Sequence, residues 1–259
     1  MYALAPRMLG GRRLLGIALS ALGLLAALLA IVLGVVHGQA TPVAPPSDLA
    51  LVDAAVRHHA ELDLVVFDLQ VAGTAGGTLP TPAGALDGAP VLAYAFPTTL
   101  APGAVGFSGA EGTVALVVTA HPDFDDTPLW DENGDGDPTN DGATYHSHWV
   151  LLVADERTPG GLSVAAVADA DPAAVLPPTN AGLPIYLDSP GFAVRLTDET
   201  VRVVLPGERL GGETTFTFDA VTASLVVNTS DEARPLLGVT EVYSVLSGDL
   251  SLPYTVEAE

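Results

Sequence analysis

The chain has 259 residues, with 31 acidic and nine basic side chains, a net charge of −22 and no cysteine. A body this acidic repels nucleic acid and anionic lipid surfaces, so neither is expected as a partner. The lack of cysteine excludes disulfides, iron–sulfur clusters and blue-copper sites.

The first forty residues have the composition of a targeting segment. Three arginines precede an apolar run over residues 14–36, and small residues stand just before position 41. A basic start, an apolar run and a small-x-small exit are typical of a secretory signal peptide. The run of 23 residues is also long enough to cross a bilayer as a helix. Residues 1–40 are therefore predicted to be a signal peptide or a transmembrane anchor helix. Either makes the protein exported, periplasmic or extracellular, with membrane contact through this segment alone.

Residues 41–56 begin with a Pro-rich stretch and are predicted to be a linker. Within them Ser47 is a candidate cap for a short helix with apolar positions at Leu49, Val52 and Val56.

Strand patterns dominate the rest of the chain. Short runs rich in Val, Leu, Thr and Phe alternate with Gly, Pro, Asp and Asn. The runs cover residues 62–71, 91–96, 113–121, 146–154, 162–168, 192–196, 201–205, 214–220, 222–228 and 239–246. This spacing predicts an all-β fold, a β-sandwich of about 8–10 mostly antiparallel strands. Residues 57–259 are assigned to a single domain with a long acidic loop over residues 122–145.

The acidic loop contains a pattern of oxygen ligands. Eight of the 21 residues from 121 to 141 are acidic, and clustered carboxylates repel one another unless a cation separates them. The run Asp131-x-Asn133-x-Asp135-Gly136-Asp137 resembles the calcium loops of EF-hand and dockerin modules over about a dozen residues. In such loops oxygens at positions 1, 3 and 5 curl around the cation, and glycine at position 6 permits the turn.

The resemblance implies a calcium ion that orders the loop, and it extends no further than the loop. Position 12 is Gly142 instead of Glu, and no amphipathic helices flank the run. Asp141, at position 11, is a candidate for the missing carboxylate, so the predicted calcium ligands are Asp131, Asn133, Asp135, Asp137 and Asp141. The alternative is an acidic turn built by Asn-Gly and Asp-Gly, which form turns without any cation.

Three histidines border the same loop. His146 and His148 lie two residues apart on a predicted strand and so share a face, while His121 ends the preceding strand. If these strands pair antiparallel, the three imidazoles meet at the base of the loop. With Asp123 or Asp125 they would form a site for a transition metal such as Zn²⁺ or Cu²⁺. The alternative is that one histidine bonds to the loop and the others lie on the surface.

Three functions remain open at this point. The first is an exported cell-envelope protein that binds calcium in the loop and a transition metal at the histidines. The second is a metal-dependent enzyme that uses the three histidines, with Asp123 or Asp126 as base. The third is a surface binding or adhesion module stiffened by calcium. Metal ions are the only partners that the sequence indicates, and it identifies no protein partner.

Overall fold

The structure is a computed structural model that describes residues 44–127, 129–167 and 171–259. The predicted signal peptide or anchor helix over residues 1–40 lies outside these residues. In the described part of the chain, no helix has the length and apolar character needed to cross a membrane.

The described residues form fourteen β strands and one short α-helix, which confirms the predicted β class. The helix α1 spans Pro172–Val175. The strands are β1 (Leu51–His59), β2 (Leu64–Val71), β3 (Pro90–Pro97), β4 (Thr113–Ala120), β5 (His146–Ala154), β6 (Leu162–Val164), β7 (Leu187–Asp188), β8 (Ala193–Thr197), β9 (Thr200–Pro206), β10 (Thr217–Phe218), β11 (Val221–Val227), β12 (Leu237–Val245), β13 (Tyr254–Thr255) and β14 (Glu257–Ala258). Single 3-10 turns span Ser47–Leu49, Pro102–Val105, Asp141–Ala143 and Gly207–Leu210.

Six strands close into an antiparallel barrel. Their order is β4-β3-β11-β12-β6-β5, and pairing between β4 and β5 completes the ring. The short strand β7 pairs with β5 as well. The architecture therefore differs from the predicted β-sandwich, because six of the strands form a closed barrel. The alternation of polar and apolar residues indicates which side of a strand is buried, but it does not indicate whether the outermost strands of a sheet meet.

A second sheet has the order β14-β1-β2-β9-β8, and β10 and β13 form a separate pair. In the second sheet β14 runs parallel to β1, and the other pairings are antiparallel. Most strand pairs in the protein are therefore antiparallel, as predicted.

The start of the fold corrects the prediction for residues 41–56. β1 begins at Leu51, inside the predicted linker, and the predicted helix after Ser47 is only one 3-10 turn. Val56 is fully buried in β1, whereas Val52 is exposed. Of the apolar positions that suggested a helix, Leu49 lies in the 3-10 turn, and Val52 and Val56 lie on β1, where only Val56 packs in the core.

Strands β3, β4 and β5 are buried on both faces. Leu92, Tyr94 and Phe96 of β3 pack in one apolar core with Phe67 of the second sheet. The alternate residues of the same strand, such as Val91, pack in a second core that fills the barrel. These strands are thus a wall shared by two cores, which explains their nearly continuous apolar sequences. Against this apolar background, His146 and His148 of β5 are polar residues on the face that lines the barrel interior.

Candidate metal centre

The β4–β5 pair places three histidines at one end of the barrel interior. Its antiparallel register sets Val117 opposite His148 and Thr119 opposite His146. Directly opposite residues lie on the same face of a sheet, and Val117 belongs to the core of the barrel. His121 follows β4 two residues after Thr119, and its ring lies against that of His146 with centroids 4.7 Å apart. The hairpin thus brings the three imidazoles together, and the loop over residues 122–145 connects its two strands.

A fourth group, Asp126, comes from that loop. Its Oδ1 lies 3.2 Å from Nε2 of His121, 3.1 Å from Nε2 of His146 and 3.5 Å from Nε2 of His148. The Nε2 atoms of His121 and His146 are 3.0 Å apart. Ligand atoms at 2.0–2.1 Å from a tetrahedral ion are separated by about 3.3 Å. The four measured separations match that spacing, so the group could hold one metal ion.

The ring nitrogens that point away from the centre fix the protons of two imidazoles. Nδ1 of His121 lies 2.9 Å from the carbonyl oxygen of Phe124, and Nδ1 of His146 lies 2.7 Å from that of Thr144. A carbonyl only accepts, so each Nδ1 carries the proton and donates it. In the neutral rings both Nε2 atoms then present lone pairs to each other across 3.0 Å. A cation between them removes this repulsion.

His148 supplies the observation that tests whether a metal fits. The residue is 1% exposed, and its Nε2 makes no hydrogen bond although the atom is fully buried. A buried nitrogen without a partner costs free energy, about 1–3 kcal/mol, unless something occupies the position in front of it. A metal ligated by the other three groups would lie in front of it. The donor set of three imidazoles and one carboxylate suits a divalent transition metal.

Burial and mutual contacts shift the pKa values of three of the four side chains at the centre. Burial lowers the pKa of His148 to about 3, so its ring is neutral. Burial opposes ionisation of Asp126, but the charge and hydrogen bonds of the neighbouring imidazoles hold its pKa well below the ordinary value. Burial also acts against a charge on His146, yet the hydrogen bond and charge of Asp126 raise its pKa. Without a metal, the carboxylate therefore favours a proton on His146, and a metal ion would replace that proton.

The two carboxylates that the sequence favoured as ligands lie elsewhere. Asp123 accepts hydrogen bonds from the backbone N–H groups of Ala83 and Gly84, at 2.8 and 2.6 Å. Asp125 accepts from the N–H groups of Thr127 and Asp141. Asp126, considered from the sequence only as a base for an enzyme, occupies the ligand position. In an irregular loop no periodicity indicates where successive side chains point, so the sequence could not select among the three.

The predicted calcium loop forms a curl around the side chain of Asp131. Oδ1 of Asp131 accepts from the N–H groups of Gly134 and Asp135, at 2.7 and 3.1 Å, and Oδ2 accepts from that of Gly136 at 2.8 Å. The other predicted ligands also cap backbone N–H groups: Asn133 that of Asp135, Asp135 that of Asp137, Asp137 that of Thr139, and Asp141 those of Glu132 and Asn133. Across the described ranges, the only His, Asp and Glu side chains that converge as a ligand group are those of the metal centre. The calcium-loop carboxylates are not brought to one point.

Gly142 explains why the loop departs from the EF-hand pattern at position 12. Its carbonyl accepts from the backbone N–H of His121 at 2.6 Å. A Cβ at this position would lie 1.9 Å from the carbonyl oxygen of Phe124 and 2.6 Å from that of His121. The returning chain is pressed against the segment that carries the first histidine, so only glycine fits there.

A third segment, which the sequence did not indicate, closes the centre. β7 pairs with β5 through Asp188 and Trp149, and this register brings Ser189 next to His148. Oγ of Ser189 lies 3.1 Å from Nδ1 of His148 and donates to the carbonyl of Asp126 at 2.8 Å. The indole N–H of Trp130 donates to the carbonyl of Ser189 at 2.9 Å, which ties the loop to the same segment.

Comparison with known proteins gives no relative from which a role could be transferred: no protein-family model, no curated protein and no solved structure matches this chain. Its function has to be argued from the metal centre itself.

Proposed function

We propose that this chain is an exported metal-binding protein that holds one divalent transition-metal ion in a tetrahedral site made by His121, Asp126, His146 and His148. The observation that carries the proposal is the convergence of four ligand atoms, with Oδ1 of Asp126 3.1–3.5 Å from all three imidazole nitrogens and all four atoms within 4.8 Å of one another, in a place where Nε2 of His148 has no other partner. The proposed ion satisfies that nitrogen and separates the lone pairs of the other two rings.

Zinc is the ion that suits the site best. It prefers four ligands in a tetrahedron and accepts imidazole and carboxylate together. Copper(II) prefers square-planar or tetragonal surroundings. Catalytic zinc sites keep one position open for water or substrate, whereas structural sites use four protein ligands. Here four protein side chains converge, and the most exposed of them, Asp126, is 6% exposed. This favours a tightly held ion over the enzyme hypothesis.

Calcium in the acidic loop is the second part of the proposal. The support is the Asp131-x-Asn133-x-Asp135-Gly136 pattern of the sequence, together with the curl of the loop around Asp131, whose carboxylate accepts from three backbone N–H groups. The ion would bind at the exposed tip, through Asp131, Asn133, Asp135 and Asp137, and would stiffen the loop.

Export is proposed from residues 1–40, on the basic start, the apolar run and the small-x-small exit of the sequence. Fractionation of the native host tests it: the protein should be recovered outside the cytoplasm. Intact protein in the cytoplasm would contradict this part of the proposal without affecting the metal centre.

Elemental analysis of the protein purified without chelators is the decisive experiment. We expect one zinc ion per chain in the wild type and none after replacement of His146 and His148 together by alanine. The matched control replaces His58 and His59, the other close pair of histidines, and should retain zinc. If only calcium is found in the wild type, the alternative of a calcium-stiffened surface module takes the place of this proposal. A metal with an exchangeable water bound to it would instead favour the enzyme.

A further inference from the structure

The tautomer of His148 is not fixed in the same way as those of the other two histidines. The Nδ1 atoms of His121 and His146 face carbonyl oxygens, which can only accept. Nδ1 of His148 faces the hydroxyl of Ser189 at 3.1 Å. A hydroxyl can donate or accept, so this contact alone leaves the proton of His148 unassigned.

The second hydrogen bond of Ser189 resolves the assignment. Oγ of Ser189 lies 2.8 Å from the carbonyl oxygen of Asp126 and must donate its only proton there. Toward His148 the same oxygen can therefore only accept, which places the ring proton on Nδ1 and leaves Nε2 bare. Ser189 is fully buried, so no water from bulk solvent competes for either bond.

We infer that Ser189 is a positioning residue of the metal centre, which keeps His148 in the metal-binding tautomer and joins it to the backbone of a second ligand, Asp126. This inference rests on the proposed function. Ser189 contacts no metal itself and acts through the two residues that it connects. Its position right after β7, which pairs with β5 beside His148, brings this link from a part of the chain 41 residues away.

The loss of the hydroxyl has a defined consequence for the imidazole. Without the hydroxyl, Nδ1 loses the acceptor that it faces at 3.1 Å, which shifts the tautomer balance toward a proton on Nε2, where Oδ1 of Asp126 lies 3.5 Å away. A proton there occupies the direction in which the metal would bind. Loss of an outer residue that orients a metal ligand typically weakens metal affinity by roughly 10–100-fold.

The test compares zinc affinities measured by competition with a chromophoric chelator. We expect Ser189→Ala to bind Zn²⁺ roughly 10–100-fold more weakly than the wild type, and Ser189→Thr, which keeps the hydroxyl, to recover most of that loss. The control is Ser163→Ala. Ser163 is also buried and donates to a carboxylate, Asp155, but its hydroxyl makes no hydrogen bond to the centre. It should bind zinc like the wild type.

A spectroscopic readout separates positioning from a general loss of stability. Nitrogen-15 NMR of the imidazoles should show the proton of His148 on Nδ1 in the metal-free wild type and on Nε2 in Ser189→Ala. An unchanged zinc affinity in Ser189→Ala would overturn the inference. So would a wild-type His148 that carries its proton on Nε2, and that result can be obtained even if the alanine variant does not fold.

The same spectra distinguish failure of this inference from failure of the proposed function. If the wild type binds no zinc, the proposed function fails, while a proton that moves from Nδ1 to Nε2 on removal of the hydroxyl still supports the role of Ser189. If zinc binds tightly and the proton does not move, the proposed function stands and Ser189 has no positioning role.

Discussion

Two regions between residues 121 and 148 use polar side chains in opposite ways. In the tip of the acidic loop the oxygens of Asp131 accept from three backbone N–H groups, and the residues are mostly exposed. At the base of the loop four buried ligand atoms point toward one another, and one of them has no partner. The carboxylate of Asp131 is satisfied by its own backbone, whereas the base leaves Nε2 of His148 available to the proposed cation. A high density of carboxylates is therefore a weaker sign of a metal site than buried ligand atoms that converge and lack hydrogen-bond partners.

The largest expected loss of zinc affinity follows substitution of Asp126, whose neighbour Asp125 serves as the control. Asp126→Asn replaces a ligand oxygen of the base, and we expect a larger loss of zinc affinity than the roughly 10–100-fold loss that follows removal of an outer residue. Asp125→Asn is the matched control, because that side chain accepts from Thr127 and Asp141 and does not face the centre. Isothermal titration with Zn²⁺ measures both. Equal losses of zinc affinity in the two variants would contradict the assignment of Asp126 as a ligand and of Asp125 as a residue that only supports the loop.

Gly142→Ala tests whether the packing of the loop against His121 matters for the centre. The new Cβ would meet the carbonyl oxygens of Phe124 and His121, so the chain must move. We expect a loss of stability of about 1–3 kcal/mol, as for overpacked cores, together with weaker zinc binding. Chemical denaturation with and without zinc measures both effects. Gly103→Ala, where a Cβ would meet nothing within 4 Å, should change neither.

Calcium provides the next test, on the tip of the loop. We expect Ca²⁺ to raise the thermal midpoint, by a stabilisation of about 2.7 kcal/mol at a hundredfold excess over the dissociation constant. The combined substitution of Asp131 and Asp135 by alanine should abolish this increase and leave zinc bound. A midpoint that is the same with calcium and with a chelator would show that the tip is an acidic turn and nothing more.

The smallest effect is expected at the contact between the loop and Ser189. Trp130→Phe removes the indole N–H that donates to the carbonyl of Ser189 and keeps most of the aromatic surface. A hydrogen bond of this kind contributes about 0.5–1.5 kcal/mol to stability. Urea denaturation should show a loss of that size, with zinc affinity close to that of the wild type. A loss of zinc affinity as large as that of Asp126→Asn would place Trp130 among the determinants of the centre.

The features that the sequence predicts are those set by short-range periodicity. The spacing of His146 and His148 places both rings on one face of a strand, and the loop length allows His121 to return beside them. The choice of Asp126 depends on the path of an irregular loop, and the contribution of Ser189 depends on pairing between distant strands. For the same reason the sequence predicts the β class but not the closed barrel. Closure involves β12 and β6, which pair through a single pair of residues, Gly238 and Ser163.

The position of all four ligands within one hairpin has a consequence for how the protein assembles. The entropy cost of closing a loop grows only slowly with its length, so the β4–β5 hairpin can gather His121, Asp126 and His146 without help from the rest of the chain. The barrel also needs β3 to find β11, as in the pairing of Leu92 with Ser224, about 130 residues apart, and contacts of such separation form slowly. We therefore expect a folding order in which the hairpin can capture its ion first and the barrel closes later. Ser189 would reach His148 only after β7 has paired, so that the ion would be held loosely at first and tightly at the end.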